Sequence, residues 1–227
     1  MNREKARRNG LSVDTSYKLE SSIPPLDVDA IERQEDPNWA FSTRPSLPED
    51  PTKPIATVIF ALPVNESQDP SYNESWKRLK DTQSRWTPEN LGLILDWQGI
   101  PLENYFPDAQ ESKWKILERQ RDWQRNGPPR KPWGWKSPRW YPTLSMTVDI
   151  KHGLRPEGEV WLFTHAKIRG MQEGRFDLTV EIWDLHGNLV AVVQQLVGVM
   201  DMKNSLSAKM AVDAKKKLDE KMAGSKL

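Results

Sequence analysis

The chain of 227 residues is long enough for one domain with tails, and its 37% hydrophobic content and 18 prolines favour a compact domain with irregular flanks. The lack of cysteine excludes disulfides and a cysteine nucleophile, and the three histidines have no metal-ligand spacing, so we expect neither a metal nor a cofactor. A net charge of +1 and the lack of a long apolar run predict a soluble protein with no membrane span and no nucleic-acid partner.

The first fifty residues predict an irregular, linker-like segment, because prolines interrupt a polar stretch with few periodic apolar positions. A domain is expected from residue 51 to residue 203. Its first strand is predicted at residues 55–62, an apolar and β-branched run that ends before Pro63. A polar loop is expected to follow as far as residue 86.

A buried helix is predicted after this loop. Thr87 can cap the helix, Pro88 suits the first helical position, and Pro101 interrupts or ends it. The intervening LGLILDWQGI is apolar nearly all round, which is typical of a helix that lies inside a domain.

Residues 107–140 predict a polar insert with a short exposed helix at residues 113–125. Its second half interleaves Trp133, Trp135 and Trp140 with basic residues. Such a pattern can stack single-stranded bases. A loop whose tryptophans fold back over the domain is the favoured alternative, because no basic patch extends beyond the insert.

The last third of the domain predicts an antiparallel meander. Residues 144–150 alternate apolar and polar side chains, which predicts a half-buried strand. Further strands are predicted at residues 160–169, 175–183 and 189–199, with turns at 170–174 and 184–187. Gly187 suits a positive φ, and the last strand is so apolar that we expect it to be central and covered. This order indicates an α+β domain in which a curved sheet wraps around one apolar helix.

The chain ends in a lysine-rich tail, residues 204–227, whose last three residues are Ser225, Lys226 and Leu227. A C-terminal S-K-L is a peroxisomal address that a receptor reads. We therefore expect localisation in the peroxisome, with the peroxisomal import receptor as a partner. A basic tail that ends in these residues by chance is the alternative.

Two stretches carry a resemblance to a known family: WTPENLGLILDWQGIPLENYF, and WYPTLSMTVDIKHGLRPEGEVWLFTHAKIRGMQEGRFDLTVEIWDLHGNLVAVVQQ. Over about residues 55–200 the chain resembles the hot-dog fold of the acyl-CoA thioesterase superfamily, in particular fungal thioesterase-like proteins related to the acyl-CoA thioesterase II type. Family members usually carry two hot-dog domains, and this chain resembles the second one preceded by a linker. The resemblance implies an active site between two such units, so we expect a homodimer or pairing with another hot-dog.

The resemblance also implies catalytic residues, since bacterial thioesterase II relatives use an aspartate, a hydroxyl residue and a glutamine. The glutamine follows the hairpin glycine by eight residues, and here Gly187 leads to Gln195. Gln195 lies between Val193 and Val197 in a predicted strand, so its amide should be buried and must find a partner. A glutamine with a purely structural role is the alternative.

The other two catalytic positions depart from the family pattern. The aspartate position falls at Thr147 or Val148, neither of which is acidic, and Asp149 is the nearest candidate. Asp149 is expected to share a strand face with Thr147, and a slip of one residue would turn it to the other face. The hydroxyl position falls near Arg169.

Asp96, a carboxylate within the apolar helix, is a second candidate for the catalytic base. Desolvation would raise its pKa and suit it to general-base work, whereas a capping or solvent-facing role is the alternative. Lys167 and Arg169 are expected to share a strand face where they could meet CoA phosphates, and Thr147 is a further substrate-binding candidate. A solvated strand face is the alternative for these residues.

Three functions are consistent with these patterns. The first is a peroxisomal acyl-CoA thioesterase-like protein that hydrolyses a fatty or specialised acyl-CoA to the free acid and CoA. The second is a catalytically degenerate acyl-CoA-binding protein or partner subunit that lacks the first hot-dog. The third is a hydratase or dehydratase, which needs a histidine paired with an acid, and none of His152, His165 and His186 has a suggestive sequence context.

Overall fold

A computed structural model describes residues 26–33, 35–43, 57–64, 69–96, 101–105, 126 and 139–201. In chain order the elements are α1 (Val28–Glu32), β1 (Trp39–Thr43), β2 (Val58–Pro63), β3 (Tyr72–Leu79), α2 (Leu91–Asp96), a 3-10 helix (Pro101–Tyr105), β4 (Arg139–Trp140), β5 (Thr143–Ile150), β6 (Leu162–Gln172), β7 (Arg175–Asp184), β8 (Leu189–Gly198) and β9 (Met200–Asp201). The predicted exposed helix at 113–125, Trp133 and Trp135 of the insert, and the tail with its S-K-L ending lie outside the described residues.

Seven antiparallel strands form one sheet in the order β1-β2-β3-β6-β7-β8-β5, and β4 pairs with β9 in a small second sheet. The predicted α+β class, with an antiparallel meander and an apolar helix, is confirmed. No helix within the described ranges is long and apolar enough to cross a membrane.

The sheet has two different faces. Its helix side packs against α2, where Ile94 and Leu95 join the inward side chains of the three central meander strands in one core. The alternating residues of β7 that enter this core are Phe176, Leu178, Val180 and Ile182. The outer face carries an aromatic cluster of Trp39, Trp76, Trp161, Phe163 and Trp183, which Ile31 of α1 covers. We refer to these surfaces as the helix side and the outer face.

Helix α2 begins at Leu91, three residues later than the predicted start at Pro88. The Asn90 side chain accepts a hydrogen bond from the Thr87 N–H at 2.9 Å and donates one to the Arg85 carbonyl at 2.8 Å. Residues 88–90 are therefore a turn, and Asn90 directly precedes the helix where Thr87 was expected to cap it.

The burial of α2 is one-sided. Leu91, Ile94 and Leu95 are buried at the spacing of one helical face, whereas Gly92 and Asp96 are exposed. The expectation of a helix buried all round is therefore wrong for the six described residues.

Strand β3 lies where a polar loop was predicted. Its sequence YNESWKRL hides the strand pattern, because polar side chains occupy both faces. Ser75 and Lys77 are buried on the helix side, where the Ser75 hydroxyl lies 3.2 Å from the Thr164 hydroxyl and the Lys77 ammonium lies 5.7 Å from the centre of the Phe60 ring. Polar groups that find partners in this way can occupy a buried strand face.

Two elements also lie within the segment predicted to be irregular. Asp27 caps α1 by accepting a hydrogen bond from the Ala30 N–H at 2.9 Å, and β1 pairs with β2. The Glu32 carboxylate accepts hydrogen bonds from the Trp161 indole at 3.2 Å and from Arg78 at 3.0 Å. The expectation of irregular structure is wrong here, because these tertiary contacts hold a helix too short to stand alone.

Strand β5 exists as predicted but is not half-buried. All eight of its residues are exposed. The physical reason is its place at the edge of the sheet, where β8 is its neighbour in the strand order and the core under α2 draws on β6, β7 and β8.

The remaining meander elements follow the sequence closely. Gly187 takes the expected positive φ of 77°. The turn between β6 and β7 consists of Glu173 and Gly174 and is shorter than the predicted 170–174, because Gly170 lies within β6. Strand β8 has a neighbour on each side, as its apolar sequence indicates, but it lies next to the edge strand and not at the centre.

Candidate functional site

A polar cluster forms where the end of α2, the start of β5 and the second half of β8 meet. The Thr143 hydroxyl donates a hydrogen bond to Asp96 Oδ1 at 3.0 Å. The Gln195 amide donates one to the carbonyl of Leu95, the neighbour of Asp96, at 3.2 Å. The fold therefore brings a carboxylate, a hydroxyl and an amide to one end of the helix.

Gln195 is buried on the helix side, as its position between two apolar residues predicts. It is 5% exposed and pairs in register with Leu178 of β7 and Met146 of β5. Its partner is one of the last carbonyls of α2, which have no partner within the helix. The prediction that this amide must find a hydrogen-bond partner is confirmed, while its catalytic role stays a prediction.

Asp96 is the exposed last residue of α2. The expectation that burial prepares this carboxylate for general-base work is therefore wrong. The structure instead fixes the orientation of the Asp96 carboxylate, because Thr143 binds Oδ1 and leaves Oδ2 able to bind water.

Asp149 lies on the other side of the sheet from Gln195. Met146 is the residue opposite Gln195, and Asp149 is three positions further along the strand, so its side chain belongs to the outer face. It is exposed and forms an ion pair with Lys151. Thr147 pairs with Gln194 and shares this outer face. The structure thus brings Asp96 and Gln195 together and leaves Asp149 and Thr147 apart from them.

The two basic candidates lie on β6. Lys167 is half-buried on the outer face between Tyr72 of β3 and Thr179 of β7. Arg169 is exposed at the point where the β6–β7 register shifts. Lys167 therefore lies away from the helix side on which Gln195 is buried, and the role of both residues in CoA binding stays a prediction.

The structure gives His165 a context that the sequence does not show. Its Nδ1 lies 2.9 Å from Glu74 Oε1, its ring centre lies 5.1 Å from that of Tyr72, and it is 5% exposed. A histidine paired with an acid therefore exists after all. The pair belongs to the outer face. Glu74 and His165 are opposite each other, and each lies two positions along its strand from a residue of the outer aromatic cluster, Trp76 or Phe163.

Lys77 is a buried titratable group of the helix side. Burial of its ammonium lowers the pKa of Lys77 to about 7, from an ordinary value of 10.5. Sequence reasoning missed it, because a lysine inside a polar run gives no signal of burial. In the described part of the chain, no three histidine, aspartate or glutamate side chains are placed to hold a metal ion.

Thr143 is the site residue that sequence reasoning missed. The one available signal is its position, since it opens the strand that follows the predicted helix and insert. The carboxylate of this cluster can orient water, and the Gln195 amide can supply an N–H to a carbonyl oxygen, which is the pair of groups that acyl hydrolysis requires. One N–H of that amide is held by the Leu95 carbonyl, and the other contacts the Met146 sulfur at 3.5 Å, a weak acceptor that a carbonyl oxygen can replace.

Comparison with known proteins agrees with this fold. The chain is 24% identical over 216 residues to the thioesterase-like protein TwmA of Talaromyces wortmannii, covering 88% of this chain and 59% of that protein. A candidate thioesterase II from Thermobifida fusca superposes with a TM-score of 0.50 at 16% identity, covering 82% of this chain and 59% of the other. A conserved hot-dog protein of unknown function from Alicyclobacillus acidocaldarius gives 0.48 at 18% identity, with coverage of 84% and 59%.

This chain thus spans about 59% of the length of the curated relative. The fold is the hot-dog fold that the sequence resemblance implied, an antiparallel sheet around one helix. The family model of the acyl-CoA thioesterase C-terminal domain matches residues 28–199, and the protein therefore belongs to that family.

Proposed function

We propose that this protein is a peroxisomal acyl-CoA thioesterase that hydrolyses a fatty or specialised acyl-CoA to the free acid and CoA. The observation that carries the proposal is the cluster of Asp96, Thr143 and Gln195 at the end of α2, in a chain of thioesterase family. It contains the same three chemical groups that the family resemblance implies, although the carboxylate comes from the helix and not from β5.

In the proposed reaction, Asp96 accepts a proton from water while the water oxygen attacks the thioester carbonyl carbon. A Gln195 N–H stabilises the negative charge that develops on the carbonyl oxygen. The tetrahedral intermediate then collapses, the C–S bond breaks, and the proton held by Asp96 passes to the departing CoA sulfur. Thr143 positions the carboxylate through its hydrogen bond to Oδ1.

We propose that the working unit contains two copies of the chain. The exposed edge strand β5 supports this, because among the described residues it has a neighbouring strand on one side only, and its other side can pair with a strand of a second copy. The candidate site lies beside the same edge, so a second copy would enclose it. The peroxisomal location, and with it the import receptor as a partner, rests on the S-K-L ending.

The test is release of free thiol from purified protein with acyl-CoAs of short, medium and long chains. We expect turnover by the wild type, a loss of about a hundredfold or more in kcat with Asp96→Asn, and little change with Asp149→Asn. The two substitutions are matched in chemistry and lie on opposite faces. Turnover that is absent for every chain length would overturn the proposal, as would equal losses in the two variants.

A second function, acyl-CoA binding without hydrolysis, is favoured by one observation. The chain matches only 59% of its curated relative, so a catalytic group could belong to the unmatched part. This alternative predicts acyl-CoA binding that Asp96→Asn leaves unchanged, by a protein that is monomeric or that pairs with a full-length relative. Measurement of the solution mass by light scattering separates it from a working homodimer.

A further inference from the structure

The thioether of Met146 contacts the amide that the proposed reaction uses as its hydrogen-bond donor. The Met146 sulfur lies 3.5 Å from Gln195 Nε2, and the same nitrogen donates to the Leu95 carbonyl at 3.2 Å. A thioether sulfur is a weak acceptor, so the carbonyl oxygen of a substrate can displace it from the N–H. A strong acceptor at the position of this sulfur would instead hold the N–H and keep it from the substrate.

Oxidation by a peroxide converts the thioether into such an acceptor. A lone pair of the Met146 sulfur attacks one oxygen of hydrogen peroxide, the S–O bond forms, and the O–O bond breaks. The proton of the transferred oxygen passes to the leaving hydroxide, which departs as water, and the sulfur has lost two electrons to give a polar sulfoxide. Because the methionine side chain has three rotatable bonds, the new oxygen can turn toward the Gln195 amide and reach the ordinary N–H···O distance of about 2.9 Å.

Met146 is accessible to this oxidant. It is 42% exposed on the edge strand β5, and a site that admits an acyl-CoA also admits a peroxide. The chain has seven methionines and no cysteine, so all of its sulfur atoms are thioethers. Met171 and Met200 have nearly the same exposure, at 44% and 40%, but each pairs in register with an aromatic residue and not with Gln195. The contact with Gln195, and not exposure, therefore distinguishes Met146 from these two methionines.

We propose that Met146 is a site of reversible oxidation that regulates the candidate site. The proposal rests on the proposed function, since it affects turnover only if Gln195 supplies an N–H to the thioester. In the reduced protein, the amide exchanges the sulfur for the substrate carbonyl. In the oxidised protein, the sulfoxide oxygen retains the N–H. Methionine sulfoxide reductases, one for each epimer, restore the thioether and with it the weak acceptor.

The experiment treats the purified protein with hydrogen peroxide. It follows the sulfoxide on Met146 by peptide mass spectrometry, the side-chain amide signal of Gln195 by NMR, and kcat with an acyl-CoA. Oxidation of Met146 should shift the amide signal and lower kcat about tenfold or more, and the reductases should reverse both changes. Met146→Leu removes the sulfur at nearly constant volume and should make the signal and kcat insensitive to peroxide. Met171→Leu is the matched control and should respond to peroxide as the wild type does.

Met146→Gln examines the same contact without an oxidant. Its side chain places a carbonyl oxygen near the former position of the sulfur, so kcat should fall by a similar factor while the free energy of unfolding changes little at this exposed position.

A thioether at Met146 that resists peroxide would overturn the proposal, as would an oxidised Met146 beside an unchanged Gln195 signal. Equal losses of kcat on oxidation of Met146→Leu and Met171→Leu would also overturn it. The amide signal is measured without turnover, so a protein that hydrolyses no acyl-CoA can still show the signal following the oxidation of Met146. That result would refute the hydrolysis and leave the contact between the sulfoxide and Gln195 established.

Discussion

The two faces of the sheet hold their polar groups in different ways. On the outer face, the Glu74–His165 pair and the Glu32–Arg78 pair are fixed beside an aromatic cluster, and the N-terminal segment packs over that cluster. On the helix side, Gln195 is buried against the end of α2, and the carboxylate next to it is exposed. The polar groups of the outer face therefore stabilise the packing of the N-terminal segment. On the helix side, a buried donor, Gln195, and an exposed acid, Asp96, lie near each other at the edge of the sheet.

The largest expected effect concerns Lys77 on the helix side. Its pKa is about 7 in the folded protein and near 10.5 when unfolded, so between these values the unfolded chain binds the extra proton. The free energy of unfolding should therefore rise with pH across this window, by up to about 5 kcal/mol. Lys77→Met keeps the stem and should abolish the rise, raising stability most below pH 7. Urea unfolding from pH 6 to pH 10 checks this, and equal pH slopes in the two proteins would contradict it.

The aromatic cluster of the outer face provides the next effect. Trp161 is fully buried, and the Arg78 guanidinium lies 5.7 Å from its ring. Trp161→Ala should cost about 3 to 5 kcal/mol, because it leaves a cavity between the sheet and the N-terminal segment. Trp140→Ala, at a position 40% exposed, is the control and should cost far less in the same urea titration. Similar costs would mean that the cluster does not hold the segment.

A smaller effect, on catalysis, would sharpen the role of the helix side. Thr143→Val removes the hydroxyl that holds Asp96 and should lower kcat about tenfold, equivalent to about 1.4 kcal/mol, with a smaller change in KM. Thr143→Ser should restore most of the activity, because it keeps the donor. An inactive serine variant with unchanged stability would show that the hydroxyl does not act through this hydrogen bond.

The smallest expected effect concerns the ion pair that joins α1 to the outer face. Glu32→Gln should lower the free energy of unfolding by about 1 kcal/mol, since Arg78 is only 12% exposed and loses its carboxylate partner. Glu35→Gln breaks the exposed pair with Arg33 and should give no measurable change. A loss that is equal in the two variants would indicate that the tie to α1 is no stronger than a surface pair.

The meander could be predicted because its residues obey the period of two and its turns carry glycine. The β7 residues from Phe176 to Ile182 alternate cleanly and are buried on alternate positions. Strand β3 could not be predicted, because Ser75 and Lys77 occupy buried positions whose partners come from distant strands. The elements α1 and β1 were missed for the same reason, since Glu32 and Trp39 find their partners only in the folded sheet.

Part of the candidate site could likewise be predicted from the sequence, and part depends on the folded topology. Gln195 was predictable from its distance to Gly187 and from the apolar residues beside it. The exposure of Asp96, its link to Thr143 and the outer-face position of Asp149 depend on which strands become neighbours. The alternation of apolar and polar residues shows which side chains of β5 share a face. It does not show that β5 lies at the edge of the sheet, and that position leaves its side chains exposed although their alternation predicts a half-buried strand.

The hydrogen bond from Gln195 to the carbonyl of Leu95 has a consequence for how activity and folding separate. Together with the Thr143–Asp96 bond, it ties the last turn of a short helix to two strands, one of which is an open edge. Such a turn can open locally at a much lower free energy than the whole domain needs to unfold. Mild denaturant should therefore abolish turnover well before the fluorescence of the buried tryptophans changes, and the gap between the two midpoints would measure the local stability of the helix end.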